Sequence, residues 1–175
     1  KKNDGNKFVA QSFQNKASLA IVNNIQNKFD VKRQVRVKNT LKFLTNISKI
    51  FRENIGAKII GVTGSCGKTT LKELLGDVLG RTSKVSISPK SYNNKYGVPL
   101  SLLNLRQNDE FGILELGMDK KGEIDYLSKI IQPDVGVITN INYAHAKNFR
   151  NIKQIALAKS EIIKNIKPMG YIVLN

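Results

Sequence analysis

The sequence predicts an α/β fold: a parallel-sheet domain preceded by part of a smaller α/β domain. After Gly56, apolar strand-like runs alternate strictly with helix-like segments. This alternation is typical of a parallel sheet whose two faces are both covered by helices. The first of these strands runs into a glycine-rich loop that opens a helix. Hydrophobic residues make up 41% of the 175 residues, which is enough to bury a core.

The first elements are short and belong to residues 1–55. An amphipathic piece around residues 8–13 predicts a helix, and apolar runs at 19–22 and 35–37 predict strands of a small α/β unit. From Asn39, a favourable N-cap, apolar residues recur with helical spacing. This pattern predicts a linking helix over 40–55.

The remaining elements belong to residues 56–175 and alternate in type. The predicted strands are 58–62, 84–87, 111–116, 134–139 and 170–174, and the predicted helices are 68–80, 97–105, 122–131 and 152–166. In open parallel sheets, ligands bind at the carboxyl ends of the strands. Candidate functional residues are therefore those that follow each strand.

The charge and composition exclude several classes of protein. The net charge of +16 comes from 29 Lys and Arg against 13 Asp and Glu, and 23 of the cations are Lys. Arg, which suits phosphate and base recognition, is scarce, so a solvated Lys-rich surface is favoured and no nucleic-acid partner is expected. No apolar run approaches the roughly 20 residues that a bilayer span needs, so no membrane insertion is expected. One Cys forms no internal disulfide, which favours a cytoplasmic protein.

A phosphate-binding loop follows the first strand of the sheet. Glycines let backbone N–H groups turn toward an anion, and a helix N-terminus adds positive potential. Lys68 would reach the terminal phosphates of a nucleotide, and the Thr69 hydroxyl would bind Mg²⁺. The strict motif places Gly at position 62, where this chain has Val, so the loop is a variant. The candidate nucleotide-binding residues are Gly64, Ser65, Cys66, Gly67, Lys68, Thr69 and Thr70.

Two further candidates follow strands of the predicted sheet. Glu115 ends the strand at 111–116, where a phosphate-loop protein places the acid that holds or orients the metal. His145 is the only histidine of the chain and follows the strand at 134–139. A single histidine is by itself more often an ordinary loop or core residue.

Lys159 lies at the centre of an apolar stripe on the last predicted helix. The stripe consists of Ile152, Ile155, Ala156, Ile162, Ile163 and Ile166. A buried unpaired cation is costly, so this Lys must extend to solvent, pair or change its chemistry. Glu161 is expected on the opposite side of the helix, and a functional Lys159 is the favoured interpretation.

Five ordered motifs resemble the Mur ligases. They are Gly61-Val-Thr-Gly-Ser-Cys-Gly-Lys-Thr-Thr70, Ser91-Tyr-Asn-Asn-Lys-Tyr-Gly-Val-Pro-Leu100, Glu115-Leu-Gly-Met118 with residues 122–124, residues 134–141 with 144–145, and Ala158-Lys-Ser-Glu-Ile162. The second and third motifs resemble the MurF branch of the family, which joins D-alanyl-D-alanine to UDP-N-acetylmuramoyl-tripeptide. Residues 4–58 are more loosely similar to the end of the family's UDP-substrate domain.

The resemblance implies an ATP-dependent ligase that forms an amide through an acyl phosphate. It implies catalytic roles for Lys68, His145 and Lys159, the last of which falls on the family's carbamylated lysine. Mg²⁺ would be bound by Thr69, Glu115 and His145, and Asn93 and Asn94 would line the nucleotide and substrate cleft. The substrates would be ATP, UDP-N-acetylmuramoyl-tripeptide and D-alanyl-D-alanine.

The resemblance also implies a longer protein than this chain. Residues 1–55 would be a partial N-terminal domain, and residues 56–175 a truncated central ATP-binding domain without the C-terminal ligase domain. We expect this portion to be inactive alone, and a separate chain is one candidate source of the remainder. Two alternatives stay open: another Mur-type or folylpolyglutamate-type amide ligase, and a non-catalytic nucleotide-binding remnant.

Overall fold

The computed structural model describes residues 4–143 and 148–175. These residues form two compact units, with the boundary between Asn46 and Ile47. The elements of the first unit are α1 (Val9–Gln14), β1 (Ala20–Val22) and β2 (Gln34–Arg36), with 3₁₀ turns at Gly5–Phe8 and Val31–Arg33. The strands β1 and β2 pair in parallel. Val9, Ala20 and Val22 form a small core with partly buried aromatic residues. The predicted small α/β unit is confirmed.

The linking helix α2 (Thr40–Asn54) begins in the first unit and continues into the second. It starts after Asn39, whose Oδ1 accepts a hydrogen bond from the backbone N–H of Lys42 at 2.9 Å. Because this contact satisfies an otherwise unpaired N–H of the first turn, Asn39 is the N-cap that the sequence predicts.

The second unit contains a five-stranded parallel sheet. Its strands are β3 (Lys58–Thr63), β4 (Val85–Ile87), β5 (Phe111–Glu115), β6 (Val135–Ile138) and β7 (Tyr171–Leu174). The order is β4-β5-β3-β6-β7, and all neighbours are parallel. The central strand β3 pairs Val62 with Glu115 and Thr63 with Ile138. The carboxyl ends of β3, β5 and β6 therefore meet at one edge of the sheet.

Helices cover both faces of this sheet. They are α3 (Lys68–Leu79), α4 (Gly97–Leu103), α5 (Glu123–Ile131) and α6 (Ile152–Lys159). The helix α3 packs Leu71, Leu75 and Leu79 on a core of Ile60, Val62, Ile113 and Val137. On the other face, α4, α5 and α6 bury a larger core with Ile59, Leu114 and Ile138 of the strands. No helix in 4–143 or 148–175 is long and apolar enough to cross a membrane.

The last predicted helix is shorter in the structure. The α-helical part ends at Lys159, and Ser160–Asn165 form a 3₁₀ helix. A 3₁₀ helix has three residues per turn, so the α-helical spacing of the apolar residues does not continue past Lys159. The predicted stripe is wrong at two positions. Ile163, which lies in the 3₁₀ helix, is 44% exposed, and Ile152, the first residue of α6, is 48% exposed.

Candidate functional site

The glycine loop connects β3 to α3 at the carboxyl edge of the sheet. Gly64 has a φ of +152°, and a Cβ at this position would overlap Oγ1 of Thr139. Gly67 has a φ of +77° and immediately precedes α3. Both positions therefore require glycine, one for space and one for a left-handed backbone. The loop that results leads from the end of β3 directly into the N-terminus of α3.

The loop is held by the segment that follows β6. The backbone N–H of Cys66 donates to Oδ1 of Asn140 at 2.9 Å, and the Thr139 hydroxyl donates to the carbonyl of Cys66 at 2.6 Å. The backbone N–H of Ser65 donates to the carbonyl of Asn140 at 3.0 Å. The supporting residues Thr139 and Asn140 lie in the motif at residues 134–141. The spacing of this motif along the chain does not show that it contacts the loop.

The ammonium group of Lys68 lies over the glycine loop. Its Nζ donates to the carbonyl of Gly64 at 3.0 Å and is 3.4 Å from the carbonyl of Ser65. The cation and the first turn of α3 thus present positive charge at the same place. This arrangement suits the binding of phosphate groups.

Glu115 contacts two of the other predicted site residues, Thr69 and Asn93. Glu115 is the last residue of β5 and is only 2% exposed to solvent. The Thr69 hydroxyl donates to Oε2 at 2.7 Å, and Nδ2 of Asn93 donates to Oε1 at 2.8 Å. Among the described residues, no Lys or Arg forms an ion pair with this carboxylate. A buried carboxylate with only neutral partners has uncompensated negative charge, which a cation would neutralise.

The oxygen atoms around Glu115 fit a magnesium ion by their chemistry. Carboxylate and hydroxyl oxygens are hard ligands, and Mg²⁺ usually takes one or two of them and completes its shell with water and phosphate. The described part of the chain holds no group of three His, Cys, Asp or Glu that could enclose a metal. His145, the third predicted ligand, lies outside the described residues.

Asn94 does not join Asn93 at the carboxylate. Its Oδ1 accepts hydrogen bonds from the backbone N–H groups of Tyr96 and Gly97, both at 3.0 Å. These contacts cap the start of α4. Thr70 is exposed and lines, with Cys66 and Gly67, a groove of about 440 Å³ beside the loop.

Lys159 is buried beside the glycine loop. It is 1% exposed, and burial lowers the pKa of its amine to about 8, with a further lowering from the charge of Lys68 and an opposing effect of Cys66. A neutral amine is therefore more accessible here than at an exposed lysine. Of the predicted stripe, Ile155 and Ile162 are buried with it.

Glu161 does not pair with Lys159, but it is buried. Its carboxylate accepts the backbone N–H groups of Gly122 at 2.9 Å and Asp125 at 3.1 Å. It therefore caps α5 and ties the segment that carries Lys159 to that helix. This contact was not predictable from helical spacing, because Glu161 lies in a 3₁₀ helix rather than in a continued α-helix.

Comparisons with known proteins agree with this geometry. Residues 62–175 match the family described as the Mur ligase middle domain. The chain is 39% identical over 173 residues to the UDP-N-acetylmuramoyl-tripeptide--D-alanyl-D-alanine ligase of Bacillus subtilis, covering 97% of this chain and 37% of the relative. It is 40% identical over 139 residues to the ligase of the same name from Buchnera aphidicola, covering 79% of this chain and 30% of the relative.

Solved structures show the same similarity. A crystal structure of MurF from Acinetobacter baumannii matches with a TM-score of 0.88 and 40% identity, over 99% of this chain and 38% of that chain. The MurF ligase of Thermotoga maritima in complex with ADP matches with a TM-score of 0.85 and 34% identity. The match covers 99% of this chain and 40% of that chain. This chain thus spans less than half the length of these relatives. By its matched residues and its loop, the chain belongs to the Mur ligase family and contains residues of that family's middle domain.

Proposed function

We propose that this chain forms the ATP-binding site of a ligase that adds D-alanyl-D-alanine to UDP-N-acetylmuramoyl-tripeptide. The observation that carries the proposal is the juxtaposition of the Lys68 loop with the buried Glu115 carboxylate and its partners Thr69 and Asn93. Relatives that bear this ligase name match nearly the whole chain. In this assignment residues 1–55 belong to the end of the UDP-substrate domain and residues 56–175 to the central ATP-binding domain.

The chain's own residues would bind and orient ATP. The glycine loop and the N-terminus of α3 would hold the phosphates, and Lys68 would move from the loop carbonyls to the terminal phosphate oxygens. The terminal phosphoryl group would then pass to the carboxylate of the peptide, giving an acyl phosphate and ADP. The amine of D-alanyl-D-alanine would attack that carbonyl carbon, forming the amide and releasing phosphate. Catalysis would rest mainly on positioning and charge neutralisation.

Mg²⁺ would be held by Glu115 and Thr69, with His145 as a further candidate ligand. When bound, the ion neutralises negative charge on the phosphates. Asn93 would orient the Glu115 carboxylate through its hydrogen bond to Oε1. Asn94 would act indirectly, by fixing the loop at the start of α4.

Lys159 would react with CO₂ to form a carbamate. The ammonium group first releases a proton, and the neutral amine attacks the carbon of CO₂. A nitrogen–carbon bond forms, one C=O π pair moves to oxygen and the nitrogen releases a second proton, so that overall a cation becomes an anion. Burial and a pKa of about 8 favour the neutral amine that this reaction needs. The carbamate would also replace the repulsion between Lys159 and Lys68 by attraction.

The partners of the complete enzyme would be its substrates together with the rest of the ligase, on the same or a separate chain. The single cysteine and the use of ATP favour the cytoplasm as its location.

The complete gene product that carries residues 1–175 tests the proposal. We expect it to release ADP from ATP and Mg²⁺ in the presence of UDP-N-acetylmuramoyl-tripeptide, at a rate that depends on D-alanyl-D-alanine. The Lys68→Met variant should lose this turnover by at least a hundredfold. Lys49→Met, which changes an exposed lysine of α2, is the control and should retain it. Release of ADP that does not depend on D-alanyl-D-alanine would refute the proposed substrate.

A further inference from the structure

Lys72 is a completely buried lysine on α3, one turn after the glycine loop, and none of the roles above uses it. Its Nζ donates to the carbonyl of Ser88 at 2.7 Å and to the carbonyl of Lys90 at 2.8 Å. The carboxylate of Glu73 lies 3.0 Å from the same nitrogen. An ammonium group has three N–H donors, so these contacts match its capacity. A buried cation is costly, and such complete pairing indicates that its position matters.

The two carbonyls belong to the segment 88–93, which follows β4 in the chain and contacts Glu115 in space. The hydroxyl oxygen of Ser88 accepts the backbone N–H of Glu115 at 3.2 Å. At the other end of the segment, Nδ2 of Asn93 donates to Oε1 of Glu115 at 2.8 Å. The segment bound by Lys72 therefore contacts both the backbone and the carboxylate of Glu115.

The segment lies close against the end of β5. The backbone N–H of Gly117 donates to the carbonyl of Asn93 at 2.8 Å, and a Cβ at Gly117 would come within 2.8 Å of Cγ of Asn93. Lys90 has a φ of +48°, a left-handed backbone that a residue with a Cβ rarely adopts. The hydrogen bond from Lys72 to its carbonyl helps hold this conformation. Without that bond, we expect the segment to relax and Asn93 to leave the carboxylate.

We infer that Lys72 is a positioning residue that sets the Glu115 carboxylate for metal-bound nucleotide by fixing the segment 88–93. The inference rests on the proposed function, because it takes Glu115 as a magnesium ligand. The inference adds Lys72 to the residues that serve the proposed site. The ammonium group of Lys72 contacts neither the glycine loop nor the Glu115 carboxylate. Lys72 acts through Ser88 and Asn93.

Backbone hydrogen exchange tests the structural step without any nucleotide. In the 175-residue chain, Lys72→Met should accelerate exchange of the N–H groups of Tyr92, Asn93 and Gly117 at least tenfold. The N–H groups of Ser65 and Cys66, which bond to Asn140, should exchange as in the wild type. Lys49→Met is the control variant and should change neither set. Unchanged exchange in the segment, or equal acceleration in both sets, would overturn the inference.

Titration with ATP tests the functional step. We compare the affinity for ATP in Mg²⁺ with the affinity for ATP in a chelator. The ratio of these two affinities should be at least fivefold smaller in Lys72→Met and in Asn93→Ala than in the wild type. The affinity in the chelator should stay within twofold of the wild-type value. Because Lys72 acts in part through Asn93, the double variant should lose less than the sum of the losses in the two single variants. Additive losses would contradict this route. If the wild-type chain shows no magnesium effect, the proposed function fails, and the exchange comparison still decides whether Lys72 fixes the segment.

A second variant covers the case in which Lys72→Met does not fold. Lys72→Arg keeps the charge, but its planar group is too wide to replace the compact ammonium between the two carbonyls. We expect it to accelerate exchange at Tyr92 and Asn93 at least threefold and to leave Ser65 unchanged. Wild-type exchange at Tyr92 and Asn93 in this variant would overturn the inference.

Discussion

Burial of Lys159 has a cost that depends on pH. Its pKa in the folded chain is about 8, against 10.5 for an ordinary lysine. Between these values the unfolded chain binds more protons than the folded chain, so the contribution of this residue to stability rises with pH. Below pH 8 the amine is charged in both states and its burial penalty is fully present.

Replacing Lys159 with Met should therefore stabilise the chain at pH 7 in CO₂-free buffer. The advantage over the wild type should shrink by about 1 to 3 kcal/mol as the pH rises from 7 to 10.5, because the wild-type penalty disappears. Urea denaturation at several pH values measures the difference, with Lys49→Met as the control. A difference that stays constant over this range would show that Lys159 titrates as an exposed lysine.

Gly64 provides the second prediction for a single residue. Gly64→Ala should destabilise the chain by about 1 to 3 kcal/mol, because the residue has a φ of +152° and its new Cβ would overlap the Thr139 hydroxyl. The displaced loop should also bind ATP at least tenfold more weakly. Gly56→Ala is the matched control, since a Cβ there meets nothing within 4 Å. Denaturation and ATP titration of both variants check the result, and equal behaviour would contradict it.

The sequence predicted the chemistry of single residues better than their contacts. Residues of the loop and Glu115 could be singled out because they follow strands, and parallel strands end at one edge. The contacts of Ser88, Asn140 and Lys72 could not, since they join segments distant in sequence and depend on how the strands are ordered. The roles assigned to the site residues stay predictions.

Among the elements, the C-terminal half of α2 is fixed by a buried arginine. Arg52 is 2% exposed. Its guanidinium group donates to the carbonyls of Ile131 and Gln132 and to the carboxylate of Asp134. That carboxylate also accepts a hydrogen bond from the backbone N–H of Ile59. Burial lowers the pKa of Arg52, and Asp134 opposes that shift. One side chain thus joins the helix to the start of β6 and to β3.

Removing this side chain should be costly. Arg52→Met should lower the free energy of unfolding by about 3 to 5 kcal/mol, because it removes the donor to the carbonyls of Ile131, Ala57 and Gln132 and the cation that pairs with the Asp134 carboxylate. Urea denaturation measures the change, and Arg81→Met, at an exposed arginine after α3, should change it by less than about 0.5 kcal/mol. Equal stability of the two variants would show that α2 is held by its apolar residues alone.

At the same scale, the parallel sheet and its helices were predictable because apolar strands and amphipathic helices alternate. The turn from α-helix to 3₁₀ helix after Lys159 was not, since apolar residues at 162 and 163 continue the α-helical pattern. Tertiary contacts determine the conformation of this segment. The Glu161 carboxylate caps α5, and Ile163 remains exposed. Propensity and spacing carry no information on such a cap.

For the whole molecule, the excess of positive charge accompanies a site that we propose binds an anionic nucleotide. The net charge is +16, yet the proposed nucleotide site draws on two lysines, Lys68 and Lys159, and a buried carboxylate. Most of the remaining charge is therefore surface lysine. We expect the specific interaction with ATP to depend on these few residues and on magnesium rather than on the total charge.

Calorimetric titration of the 175-residue chain with ATP tests the central claim, that the Lys68 loop and Glu115 form one magnesium-dependent nucleotide site. We predict saturable binding at one site, at least fivefold tighter with Mg²⁺ than with a chelator. Lys68→Met should lose binding in both conditions, and Glu115→Gln should lose only the gain from magnesium. Binding that is unchanged by Lys68→Met, or a magnesium gain that survives in Glu115→Gln, would contradict the claim.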